Sequence, residues 1–177
     1  MDKVGLGSRI VRLRHVGLGV AFFFALFAQL LSAQLLAQRA IAQVLVPAGS
    51  EAATFTERGI RFEGTAGGAI NLMGLARRDR RRKLCLGYGN AEPNHVLILA
   101  EDVARLSLSV ESNGGDTTLL VEGPRGIDCD DNAGRNNRDA AVGGRSWPAG
   151  TYRIWVGTFE QGDRTNYRLM VTSPDRR

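Results

Sequence analysis

The amino-acid sequence predicts an all-β, antiparallel, jelly-roll-like β-sandwich preceded by an N-terminal signal-peptide helix. Three observations carry this expectation. Apolar and polar residues alternate through Leu106, Leu108 and Val110, through Tyr152, Ile154 and Val156, and through Tyr167, Leu169 and Val171, the period of a half-buried strand. Glycine-rich connections separate the stretches at short spacing, as sandwiches require. No helical period follows the N-terminal segment.

In chain order, Lys3, Arg9, Arg12 and Arg14 precede an apolar run from Val16 to Leu31. A basic stretch followed by an apolar one is the form of a secretory signal, whose cationic end stays on the cytoplasmic side. The run of roughly 16 residues is shorter than the roughly 20 of a spanning helix. Ala40-Ile41-Ala42 offers small side chains for cleavage, as do Ala33 and Ala37. Residues 1–42 are therefore expected to be a signal peptide, 43–56 a leader or linker, and 57–177 the sandwich. The expected location is secreted or periplasmic after cleavage, with an uncleaved membrane anchor as the alternative.

The first strands are expected at 59–63 and 69–72, separated by the turn-rich Gly64-Thr65-Ala66-Gly67-Gly68. His95 to Ala100 is apolar on both faces, as a central strand between packed layers is. Leu119 and Val121 lie on a strand that meets the turn Gly123-Pro124-Arg125-Gly126. An acidic loop follows, and the chain returns through Ala149-Gly150-Thr151 into the strand of Tyr152, Ile154 and Val156.

Charge is uneven. Of 23 basic and 18 acidic residues, Lys3, Arg9, Arg12, Arg14, Arg39 and Asp2 precede Gln43, leaving 18 against 17 beyond it. The basic character that remains is local: Arg77, Arg78, Arg80, Arg81, Arg82 and Lys83, interrupted by Asp79. On an otherwise mildly acidic body, such a loop at 77–83 suits an anionic polysaccharide or lipid surface. A solvated connection held out by self-repulsion is the other reading. Export argues against a nucleic-acid partner. An extracellular protein partner stays open, as does the oligomeric state.

Cys85 and Cys129 are the only cysteines. In an oxidising compartment an isolated pair reads as a structural disulfide, here tying the end of the basic loop to the acidic one. Closing a loop of about 45 residues stabilises the fold by about 4 kcal/mol on the chain-entropy model.

Catalytic signals are sparse, and the chain is not expected to be an enzyme. His95 is the only histidine beyond the N-terminal segment, and a small hydrolase using it with an acidic partner is the competing function. No nucleophile elbow, zinc-protease or phosphate-binding loop motif occurs. Trp147, Trp155 and Tyr152 could stack on carbohydrate, but their place in the strand pattern reads better as core. The stretch with site-like chemistry is acidic. Asp128, Asp130, Asn132 and Asp139 echo the first, third, fifth and twelfth positions of a calcium loop. Ala133 stands where that loop needs glycine, and Asp139 replaces its bidentate glutamate. Asx turns serving the backbone are the alternative to a calcium cofactor.

Asp116-Thr117-Thr118-Leu119, Gly123-Pro124-x-Gly126, Asp130-Asp131-Asn132-x-Gly134, Asp139-Ala140 and Ala149-Gly150-Thr151-Tyr152 occur in that order. Together they resemble the bacterial pre-peptidase C-terminal domain, in particular its stand-alone secreted cyanobacterial version, over roughly Cys85 to Thr172. The resemblance implies a jelly-roll-like sandwich that is usually an accessory module on secreted hydrolases. The expected function is thus a secreted, non-catalytic binding or interaction module at the cell surface or in the periplasm.

Overall fold

The computed structural model describes residues 45–56, 58–132 and 137–173. The chain divides into two units, Met1–Gln43 and Val44–Arg177. The expected signal peptide lies outside the described residues. Among the described residues no helix is long and apolar enough to cross a membrane.

Among the described residues eleven strands follow in order: β1 (Glu51–Thr54), β2 (Ile60–Ala66), β3 (Ile70–Asn71), β4 (Tyr88–Gly89), β5 (His95–Leu99), β6 (Val103–Ser112), β7 (Thr117–Gly123), β8 (Gly126–Asp130), β9 (Ala141–Trp147), β10 (Gly150–Thr158) and β11 (Thr165–Thr172). One helical turn, α1 (Leu72–Leu75), interrupts them.

A four-stranded sheet has the order β2-β11-β6-β9 and faces a seven-stranded sheet centred on β10. Arg153 and Ile154 of β10 pair with both β5 and β7, so these lie on opposite flanks. Tyr88 of β4 pairs with Thr158 opposite β7, which places β4 beyond β5 along the same flank. From β5 to β11 the chain changes sheets at every connection except the β7–β8 hairpin, whose turn is Gly123-Pro124-Arg125-Gly126.

All nine alternating residues are buried between the sheets, together with Phe62, Leu97, Leu99, Leu119, Val121, Val142 and Trp147. Each side chain of this size contributes roughly 1.5 to 3 kcal/mol of hydrophobic stabilisation, opposed by ordering entropy. Leu120 and Trp155, one residue out of phase with this face, point outward, yet they too are buried. They pack with Leu72 and the Cys85–Cys129 disulfide in a second apolar cluster.

Three boundaries differ from expectation. The segment 43–56 is not merely a leader, because Glu51–Thr54 adds parallel to His95–Ile98 as an edge strand. An edge strand needs little apolar alternation, and Glu51-Ala52-Ala53-Thr54 shows none. Strand β2 runs through the expected turn as far as Ala66. Gly64 is extended here by pairing with Tyr167 of β11, and it has to be glycine because a Cβ would lie 2.7 Å from Tyr167 Oη. Finally, the expected strand at 69–72 is cut short by α1, where Asn71 Oδ1 accepts from Met73 N at 2.9 Å, a side-chain cap that starts a helical turn.

Candidate functional site

The basic stretch is a structured flap that wraps around an edge of the sandwich. Its turn is organised by the residue that breaks the charge run. Asp79 is 8% exposed, and its Oδ1 accepts from both Arg81 N and Lys83 N at 2.8 Å. Asp79 N donates to Lys83 O at 2.9 Å, and an isolated bridge joins Arg78 to Leu84. A short polar side chain satisfying nearby N–H groups is the usual way such a turn is fixed. The disulfide from Cys85 to Cys129 pins the flap's end over β8.

The expected acidic loop is, in its first part, strand β8 itself. Register sets Asp128 opposite Val121 and Asp130 opposite Leu119, and Val121 and Leu119 face the core. Directly opposed residues in an antiparallel pair share a face, so these carboxylates point into the seam between β8 and β9. Asp128 is 4% exposed there. A buried carboxylate needs close cations and hydrogen bonds, and the flap delivers them. Arg80 Nε donates to Asp128 Oδ1 at 2.9 Å and Oδ2 at 3.1 Å. Arg125, from the hairpin turn, places Nε 2.8 Å from Asp128 Oδ2. Lys83 Nζ pairs with Asp130, and with Asp131 at 2.8 Å. Burial lowers the Lys83 pKa, but hydrogen bonding and attraction to Asp130 and Asp131 outweigh it and leave the pKa raised.

Two further bonds tie the seam together. Arg80 N donates to Ile127 O at 2.9 Å, covering part of the free edge of β8. Arg81 Nη2 donates to Gly143 O of β9 at 3.2 Å, so the flap grips strands of both sheets. A cavity of about 110 Å³ lies beneath it, lined by Asp79, Arg81, Lys83, Asp128, Asp130 and Gly143 among others.

The reading of 77–83 as a solvated connection is therefore corrected. Arg80, Arg81 and Lys83 turn onto β8, its C-terminal carboxylates and β9. Of the other three, Arg78 Nη1 donates to Arg82 O at 2.7 Å, and Arg77 and Arg82 have no carboxylate partner; all three are exposed.

The four calcium candidates do not converge. Asp128 and Asp130 belong to the seam, and Asp130 Oδ2 also accepts from Ala141 N at 3.2 Å. Asn132 is exposed. Asp139 sits in a separate cluster, accepting from Ser112 N at 3.0 Å, Ser112 Oγ at 2.5 Å and Thr117 Oγ1 at 3.3 Å. Among the described residues no three His, Cys, Asp or Glu side chains are placed to hold a metal ion. Positions 133–136 lie outside the described residues.

His95 is a core residue. It is 2% exposed, stacks on Phe62 with centroids 4.4 Å apart, and has Nε2 2.6 Å from Tyr167 Oη. Burial lowers its pKa to about 4 and raises that of Tyr167. The carboxylate at hand, Glu51 Oε2, is 3.6 Å from Nδ1. A general base must reach the proton it abstracts, and this ring faces packed side chains. The aromatic platform is likewise absent, since Trp147, Tyr152 and Trp155 are at most 5% exposed.

The sequence reading passed over Arg125. Its side chain is 6% exposed, and the guanidinium lies 3.9 Å from the Trp147 ring centroid, a cation–π contact. Burial lowers its pKa from the ordinary arginine value. The available signal was local: an arginine in a tight turn three residues before an aspartate.

Fold and site together define a β-sandwich whose edge is clasped by a disulfide-anchored cationic flap. No family model matches the chain. An uncharacterised protein of Synechococcus elongatus is 38% identical over 91 residues, covering 49% of this chain and 63% of that relative's length. Among solved structures, the pre-peptidase C-terminal domain of a collagenase from Bacillus anthracis has a TM-score of 0.45 at 12% identity, covering 73% of this chain and 100% of that domain. A periplasmic inhibitor of g-type lysozyme from Aeromonas hydrophila has a TM-score of 0.37 at 13% identity, covering 70% and 97% of the two chains. No ligand or activity follows from these likenesses.

Proposed function

We propose that this chain is an exported, non-catalytic interaction module of the pre-peptidase C-terminal type, which engages anionic polysaccharide or lipid surfaces through its flap. The observation that carries the reading is the division of labour within the basic stretch. Arg80 and Lys83 pair with carboxylates of the sandwich and Arg81 bonds Gly143 O, while among the described residues the exposed Arg77, Arg78 and Arg82 make no side-chain bond to the sandwich. A rigid loop presenting unneutralised guanidinium groups attracts polyanions at low entropic cost. The disulfide suits an oxidising compartment, and the basic-then-apolar N-terminal sequence suits delivery to one. An accessory role beside secreted hydrolases accords with the motif series.

The test is retention of the oxidised protein on heparin and on anionic liposomes. Wild type should bind at low salt and elute as salt screens the interaction. The triple variant Arg77→Ser, Arg78→Ser, Arg82→Ser should lose retention and keep its melting temperature. Wild-type protein that flows through at low ionic strength would overturn the reading.

A further inference from the structure

Beside the seam, on the side of Gly144, the structure gathers positive charge beyond what its carboxylate balances. Gly144 has φ of +147°, and a Cβ built there would lie 3.3 Å from Arg81 Nη2, 3.4 Å from Arg125 Nη2 and 3.9 Å from Arg80 Nη2. Three guanidinium groups from two separate segments thus bring nitrogens within 4 Å of one point. Their shared counter-charge is Asp128, in contact with Arg80 and Arg125.

Hydrogen bonding is incomplete in the same place. Arg125 Nη2 is buried and has no hydrogen-bond acceptor among the described residues, while Nε meets Asp128 Oδ2 at 2.8 Å. Arg125 Nη1 donates to Arg145 O at 3.3 Å. Arg81 Nη2 spends one hydrogen on Gly143 O, and a terminal guanidinium nitrogen has two. Leaving charged donors buried and unanswered is costly. Like charges held this close also repel unless an anion joins them.

We infer that the cluster of Arg80, Arg81 and Arg125 beside Gly144 is a binding site for a tetrahedral oxyanion, a phosphate or sulfate group. Donors approaching from three separate arms match the several oxygens of a tetrahedral anion; a single planar carboxylate is matched by one bidentate fork. The ligand enters from the exposed side of Arg80 and Arg81, displacing them enough to reach the buried Nη2 of Arg125. The small cavity under the flap is not the site, because Asp79, Asp128 and Asp130 line it. The glycine is itself part of the site: a side chain at Gly144 would extend among all three nitrogens, crowding Arg81 Nη2 first.

This inference deepens the proposed reading by giving the polyanion a specific group to place, and its test is separable from that reading. Calorimetry of the oxidised chain at constant ionic strength should show one saturable site per chain for inorganic sulfate or phosphate, and none for acetate. Arg81→Gln, whose amide can still donate to the Gly143 carbonyl, should weaken binding by about tenfold, the loss of one charge-assisted hydrogen bond, while the chain stays cooperatively folded. The Arg77→Ser, Arg78→Ser, Arg82→Ser variant should bind the small anions as wild type does, even as it loses heparin. A sulfated and a phosphorylated disaccharide, compared in the same cell, distinguish the ester. Non-saturating heats, or equal affinity in wild type and Arg81→Gln, would reduce the effect to general salt and overturn the site while leaving heparin retention to stand or fall alone.

Discussion

Acid should unfold this protein through His95, and the size of the effect follows from where that ring sits. The folded chain holds it with a pKa of about 4, against an ordinary value of 6.5. Burial against Phe62 opposes charge, and the Tyr167 hydroxyl can donate to Nε2, leaving the ring proton on Nδ1 towards Glu51. The native state therefore refuses a proton that the unfolded chain accepts. Stability from this group is complete above pH 6.5, declines as pH falls, and is exhausted once both states are protonated below about 4. At 1.36 kcal/mol per pKa unit, the window holds about 3 kcal/mol. Urea unfolding of wild type and His95→Gln at intervals from pH 7.5 to 4 isolates the contribution, because titrating carboxylates are common to both. Wild type should lose about 3 kcal/mol more than the variant across the window. If His95→Gln folds poorly, the His95 ring resonance in native wild type serves instead and should titrate near pH 4. Parallel stability profiles, or a ring that titrates near its ordinary value, would refute the assignment of a buried neutral histidine.

Other outcomes follow from the seam and the core. Asp128→Asn should cost about 3 to 5 kcal/mol in chemical unfolding, since it strands the buried Arg125 cation, whereas Arg77→Ser should change the midpoint by less than about 0.5 kcal/mol. Replacing both cysteines by serine should remove about 4 kcal/mol, and trypsin should then cut at Arg77 to Lys83 before the rest of the domain. Thermal unfolding in EDTA and in millimolar calcium should superimpose; stabilisation by calcium that Asp130→Asn abolishes would reinstate the set read from the sequence. Gly64→Ala should lower the melting temperature, because the new methyl forces Tyr167 away from His95.

Period-two patterning found the core because burial by a sheet face acts residue by residue. Every one of Leu106, Leu108, Val110, Tyr152, Ile154, Val156, Tyr167, Leu169 and Val171 lies between the sheets. The same rule was silent on β1, whose Glu51-Ala52-Ala53-Thr54 is held by backbone pairing to β5. The cysteine pair was legible from its isolation, and the disulfide is formed. What the disulfide brings together was not: Arg80 and Asp128 are 48 residues apart, and nothing local shows that a run of like charges will be answered by another strand. The calcium spacing does not carry over into three dimensions, for the complementary reason. Spacing in the sequence kept Asp139 in phase with Asp128, while folding sent it to Ser112 and Thr117.

Alternation between sheets also bears on when this chain can fold. Among the described residues strand β2, near the start of the domain, hydrogen-bonds to no strand but β11, at the domain's far end, and β11 sits between β2 and β6. Strand β1 waits for β5, and β4 waits for β10. Only the β7–β8 hairpin and the two-residue β3–β4 pair join consecutive strands among the described residues. Such high contact order predicts folding in milliseconds to seconds, slow beside the microseconds of a hairpin. Until Thr165–Thr172 emerges from the ribosome, the four-stranded sheet lacks an inner strand and the chain has no closed form to adopt. A nascent polypeptide built this way completes its sandwich only when that last strand of the domain is made.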